Sequence, residues 1–78
     1  MIFEKIKKII VDELGVSEDK VTLEARLSED LAIDSIDAVE IVMYIEEEWD
    51  ISVSDEEAFA LKTVGDLVNY VEGLVESK

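Results

Sequence analysis

Asp34-Ser35-Ile36-Asp37-Ala38-Val39-Glu40-Ile41-Val42-Met43-Tyr44-Ile45-Glu46-Glu47-Glu48-Trp49 carries the pattern that decides the fold. At about 100° per residue, Val39, Ile41, Val42, Met43, Ile45 and Trp49 fall on one broad arc with Ile36 at its margin. Asp37, Glu40, Glu47 and Glu48 fall together on the other side, so the pattern predicts a helix over 35–49 with an apolar face and an acidic stripe. Asp34 suits its N-cap, where a side-chain oxygen can accept from a first-turn N–H, and Asp37 lies three residues on in a capping-box-like relation. An apolar face this wide must be buried on other elements.

Those elements lie on both sides. Upstream, Phe3, Ile6, Ile9, Ile10 and Leu14 recur at helical spacing, and Gly15 stands where a helix ends in positive φ, which predicts a helix over about 3–14. Downstream, Ser54 followed by Glu57 has capping-box spacing and predicts a short helix over 55–60. Thr63 with Asp66 predicts another, carrying a stripe of Val64, Leu67, Val68, Val71, Leu74 and Val75. Residues 16–34 show no sustained period; their Val16, Val21, Leu23, Leu27, Leu31 and Ile33 suggest a long loop that packs down on the helices. With no proline, repeat or low-complexity tract, the expectation is all-α: one domain over 1–78, a small four-helix bundle of three longer helices and one short one.

Composition narrows the function. The 78 residues hold 21 acidic and 7 basic side chains, a net charge of −14, yet 49% are apolar, so the composition of a disordered chain is not met. Residues 27–61 hold 12 acids and no Lys or Arg, so most of the charge sits in that segment, either as a solubilising surface or as a field that steers partners. A pI near 4.1 argues against nucleic acid, whose phosphates need Lys and Arg. With no Cys and no His, thiolate nucleophiles, disulfides, catalytic triads and the common zinc sites are excluded. No apolar run spans a bilayer, and Met1-Ile2-Phe3-Glu4-Lys5 leads straight into the amphipathic pattern rather than a leader, so a soluble, cytoplasmic protein is expected.

Acidic clusters raise the question of calcium. A loop begun at Asp50 puts Asp55 and Leu61 where an EF-hand needs Gly and a bidentate Glu, and one begun at Asp30 puts Ser35 and Ile41 there. Neither qualifies, so no metal site is expected beyond loose divalent-ion relief of repulsion. Paired carboxylates as general acid and base need a cleft that so small a bundle has little room for, and no catalytic residue is assigned. Ser35, at the end of the long loop and the start of the acidic helix, reads from position alone as an ordinary first-turn serine.

Leu31-Ala32-Ile33-Asp34-Ser35-Ile36 resembles the Leu-Gly-x-Asp-Ser-Leu motif of acyl carrier proteins. The resemblance continues through Val39-Glu40-Ile41-Val42-Met43, Glu46-Glu47-Glu48-Trp49-Asp50-Ile51, Asp55-Glu56-Glu57-Ala58 and Thr63-Val64, and upstream to Ile9-Ile10 and Leu14-Gly15-Val16. It implies a carrier without catalytic activity of its own. The motif serine, here Ser35, would be esterified with 4′-phosphopantetheine from coenzyme A by a phosphopantetheinyl transferase, with Asp34 as motif and cap residue. The cofactor supplies the thiol that the Cys-free chain lacks. Fatty-acid-type members shelter the acyl chain among their helices. The acidic stripe of Asp37, Glu40, Glu47 and Glu48 suits basic patches on partner enzymes, and the resemblance implies apolar partner contacts by Ile36 and Met43, with Met43 equally readable as core.

Three positions depart from the family pattern: Ala32 in place of Gly, Ile36 in place of Leu and Ser54 where Pro is frequent. The first suggests a different loop backbone before Ser35, the second a narrower partner range, and the third an N-cap in place of a helix-starting proline. The leading expectation is a monomeric, discrete carrier of a dissociated bacterial-type fatty-acid synthase. A dedicated carrier for polyketide, peptide or D-alanine transfer keeps the chemistry and changes the cargo. An acidic helical module without a prosthetic group, an adaptor or nucleic-acid mimic, would use the same charge and leave Ser35 idle. Crowded carboxylates repel, so added salt or Mg²⁺ is expected to raise the melting temperature, measured by circular dichroism. An unchanged melting temperature in both would show that the acids are well separated, or repel as strongly in the unfolded chain.

Overall fold

The computed structural model describes residues 2–77. Four α-helices form where the apolar periodicity places them: α1 (Ile2–Leu14), α2 (Ser35–Trp49), α3 (Asp55–Ala60) and α4 (Val64–Glu76). The first begins one residue before the expected start. Gly15 ends it at φ 69°, with its N–H donating to the Val11 carbonyl at 2.9 Å. Asp34 caps α2 by accepting from the Asp37 N–H at 2.8 Å, a contact worth about 1 kcal/mol. Only this forward half of the expected capping box forms in α2. In α4 both halves form, between Thr63 and Asp66. Ser54 caps α3 over a long 3.5 Å.

The core is built from one stripe of each long helix. Ile6 and Ile10 of α1, Ile41 and Ile45 of α2, and Val64, Leu67, Val68 and Val71 of α4 are buried. Each fully buried aliphatic side chain contributes about 1.5–3 kcal/mol. Leu74 and Val75, expected on the α4 stripe, are half-buried because the helix end runs off the core. The short α3 buries no residue fully and lies against α2.

The buried stripe of α2 is narrower than its sequence implies. Val39 and Met43 belong to the wide arc by angle, yet they are 44% and 54% exposed, and Ile36 is 70% exposed. The reason is geometric. A helix seated on one side of so small a bundle buries only the narrow arc through Ile41 and Ile45, flanked by half-buried Val42 and Trp49. The reading of Val39 and Met43 as arc residues facing the core is therefore corrected, and both join the solvent face.

Residues 16–34 do pack down. One 3₁₀ turn (Glu18–Lys20) interrupts them, and Val21, Ala25 and Leu31 are buried in the core. Backbone hydrogen bonds join this loop to the start of α4: Leu27 N–H to the Lys62 carbonyl (2.8 Å), Val64 N–H to Ala25 (2.9 Å) and Gly65 N–H to Leu23 (2.9 Å). A Cβ on Gly65 would lie 3.0 Å from the Leu23 carbonyl oxygen, so glycine permits that approach. Asp30 closes the loop by accepting from the Arg26 N–H at 2.8 Å.

Ala32 settles one sequence question against expectation. It holds the left-handed backbone itself, at φ 55°, so the substitution for Gly keeps a glycine-type conformation at this position. For a residue with a Cβ that conformation costs about 1–2 kcal/mol. Ala32→Gly is accordingly expected to stabilise the fold by about 1 kcal/mol after the added unfolded-state entropy, read as a higher denaturation midpoint. A lower midpoint would refute the strain at Ala32.

Candidate functional site

Ser35 is the first residue of α2, directly after its cap, and is exposed. Its hydroxyl makes no hydrogen bond to another group among the described residues. The first N–H groups of α2 have no intrahelical acceptor, and aligned peptide dipoles put roughly half a positive charge at this end, an arrangement that favours an anion. Asp34 and Asp37 oppose that field. The Asp34 carboxylate is held on the Asp37 N–H, and Asp37 is half-buried beside it.

Beside Ser35 runs a groove of about 560 Å³ between the long loop and α3, with Arg26, Ile33, Phe59, Leu61 and Lys62 in its walls. Beneath it lies an apolar void of about 40 Å³ among Ile10, Ile41, Val42 and Leu67. Leu27, Ile33, Ala38, Ala58 and Leu61 line both and form the neck between them. At about 40 Å³ the void is small, and its lining is almost wholly apolar. The sequence reading did not single out Phe59, Arg26 or Lys62. They sit on a short helix and in loops, where no periodicity marks them.

The structure sorts the expected recognition residues. Ile36, Glu40, Met43 and Glu47 share the exposed face of α2, with Val39 and Tyr44 at its edges. Glu48 is turned toward α1, where the Lys5 ammonium meets its carboxylate at 2.9 Å. Such an exposed pair is worth about 0–1 kcal/mol.

Other acids of the segment are committed to structure. The Glu46 carboxylate accepts from the Val53 N–H at 2.8 Å and straps the α2–α3 connection. The Arg26 backbone N–H, opposed by a smaller burial effect and aided by the guanidinium, holds Asp30 below the usual carboxylate range. Burial, then its hydrogen bond to Glu57 at 2.8 Å, pushes the Tyr70 phenol up. Among the described residues no group of three or more acids is placed to hold a metal ion, and no helix is long and apolar enough to cross a membrane.

The residues fit a covalently attached phosphate ester: a free hydroxyl at a helix start, open to solvent and to a groove with an apolar floor. Comparison with known proteins agrees with that chemistry. Residues 4–71 match the family described as the phosphopantetheine attachment site. The fold is similar to the crystal structure of an acyl carrier protein from Thermotoga maritima, with a TM-score of 0.82 and 31% identity over 95% of this chain and 86% of that one. Members of the matched family hold 4′-phosphopantetheine covalently and have no catalytic activity of their own. This chain belongs to that phosphopantetheine-attachment family, as a protein of the acyl carrier type.

Proposed function

We propose that Ser35 carries the 4′-phosphopantetheine and that the protein shuttles acyl intermediates between the enzymes of fatty-acid synthesis. The observation that carries this reading is the opening of the Ser35 position onto a groove whose floor is an apolar neck and void between α2 and α3. When bound, the group supplies a terminal thiol on which acyl groups are held as thioesters. The chain's own part is to present the hydroxyl and to offer the cargo shelter. A hydrocarbon chain that parts Leu27, Ile33 and Leu61 at the neck gains about 0.8 kcal/mol for each buried methylene, which supports a fatty-acyl cargo.

The exposed α2 face serves the partner enzymes, including a phosphopantetheinyl transferase. Glu40 and Glu47 steer toward basic patches, while Ile36 and Met43 supply apolar contact at the centre. Asp37 and Glu48 flank that face, Glu48 after exchanging Lys5 for a partner's cation. Rim charges raise the on-rate without demanding tight binding, which suits a carrier that must leave each enzyme. The protein acts as a cytoplasmic monomer, one carrier domain over residues 1–78.

Incubation of the apo-protein with coenzyme A and a broad-specificity phosphopantetheinyl transferase is expected to add the arm's mass to Ser35. No gain on folded protein, or the same gain in Ser35→Ala, would sink the attachment. Thioester mass spectrometry on protein from its native cell is expected to show fatty-acyl chains; polyketide, peptidyl or D-alanyl cargo would overturn the pathway and leave the attachment standing. Glu40→Lys with Glu47→Lys is expected to slow turnover by a partner enzyme about tenfold at low salt with an unchanged circular dichroism spectrum. Equal turnover would remove the steering role of α2.

A further inference from the structure

We propose that Lys62 holds the prosthetic arm in the groove beside Ser35 by donating from its ammonium to the arm's phosphate and amide oxygens. The inference rests on the attachment at Ser35 proposed above and deepens it by naming where the arm lies between visits to enzymes.

The groove has one wall from the long loop and one from α3 and the α3–α4 connection, and among the described residues only two cations line it, Arg26 and Lys62. Arg26 is already engaged: its guanidinium meets Glu29 at 2.8 Å and Asp30 at 3.5 Å. Lys62 has no ion pair among the described residues, so its three donors stay available. Its place is fixed by backbone, not by its side chain. The Lys62 N–H donates to Asp66 at 3.2 Å, and its carbonyl accepts from Leu27 at 2.8 Å. The Lys62 backbone is therefore fixed where the long loop meets the start of α4, and its side chain stands at the groove wall without an ion pair among the described residues.

Charge supplies the second argument. Residues 27–61 carry 12 acids and no base, so a phosphodiester on Ser35 enters a negative field, with Asp34 and Asp37 nearest in sequence. Lys62 follows that acidic stretch directly in sequence and lines the same groove as Ser35. The arm's charge is the phosphodiester at its Ser35 end; the neutral stretch beyond it offers amide oxygens that accept from the Lys62 ammonium where the arm lies along Phe59 and Leu61. The contact is solvent-exposed, so it biases the arm's position without locking it.

The test compares holo-protein with apo-protein in the wild type, in Lys62→Gln and in Lys20→Gln. Lys20 lies on the 3₁₀ turn outside the groove and controls for net charge. Intact-mass spectra first verify that the arm is on Ser35 in all three. Attachment is then expected to shift the wild-type amide resonances of Phe59, Leu61 and Lys62 as well as those beside Ser35. In Lys62→Gln the shifts on the α3 side fall about twofold, the change an exposed ion pair commands, while Lys20→Gln matches the wild type. High salt weakens the same shifts in the wild type. Shifts confined to Ser35–Asp37, or equal in Lys62→Gln, would overturn the role of Lys62 while the attachment stands. Absence of the arm from Ser35 would overturn both.

Discussion

The position of Ser35 depends on a short seam of backbone. The first N–H groups of a helix have no partner within it, and in α4 the loop carbonyls of Ala25 and Leu23 accept from two of them, on Val64 and Gly65. The loop gains a fixed course in return, reinforced where Leu27 donates to the Lys62 carbonyl. From there the chain has few options. Asp30 turns it back on Arg26, Ile33 donates to the Leu27 carbonyl at 3.0 Å, and Ala32 bends through the left-handed region to deliver Asp34 and Ser35 to the start of α2. A Cβ on Gly65 would lie 3.0 Å from the Leu23 carbonyl oxygen, so the loop carbonyl would have to give way by a few tenths of an ångström.

This division explains what could be read from the residues. Helices announce themselves through side-chain period and caps, so Ile6 and Ile10, Ile41 and Ile45, and the Thr63–Asp66 box were legible. The seam was not, because backbone pairing between a loop and a helix start leaves no periodic trace. Ala25, buried in the core, carries no signal that separates it from any surface alanine. Ser35 was legible only through resemblance; a first-turn serine has no distinctive spacing. Met43 shows the limit of the helical wheel. Angle alone assigns it to the apolar side, but which part of that side meets a neighbour is set by how far the rest of the bundle extends.

The acidic segment also separates into working parts once its contacts are known. Glu29 and Asp30 answer Arg26, and Glu48 answers Lys5. Asp34 and Glu46 satisfy backbone N–H groups that would otherwise lack acceptors. Glu57 holds the Tyr70 hydroxyl and so ties the short α3, which buries nothing fully, to the long α4. Much of the local charge is thus structural, and on the outward face of α2 Glu40 and Glu47 are left beside Ile36 and Met43.

That mixture on one face has a consequence for how the molecules behave in a crowd. An uncharged helix presenting Ile36, Val39 and Met43 to water would be a sticky surface. Two copies meeting through it must bring their Glu40 and Glu47 carboxylates together, and the encounter is repelled before apolar contact is made. A surface that arrives with positive charge meets no such barrier. Carboxylates set among apolar side chains thus penalise contact with a like-charged surface and favour approach by a positive one.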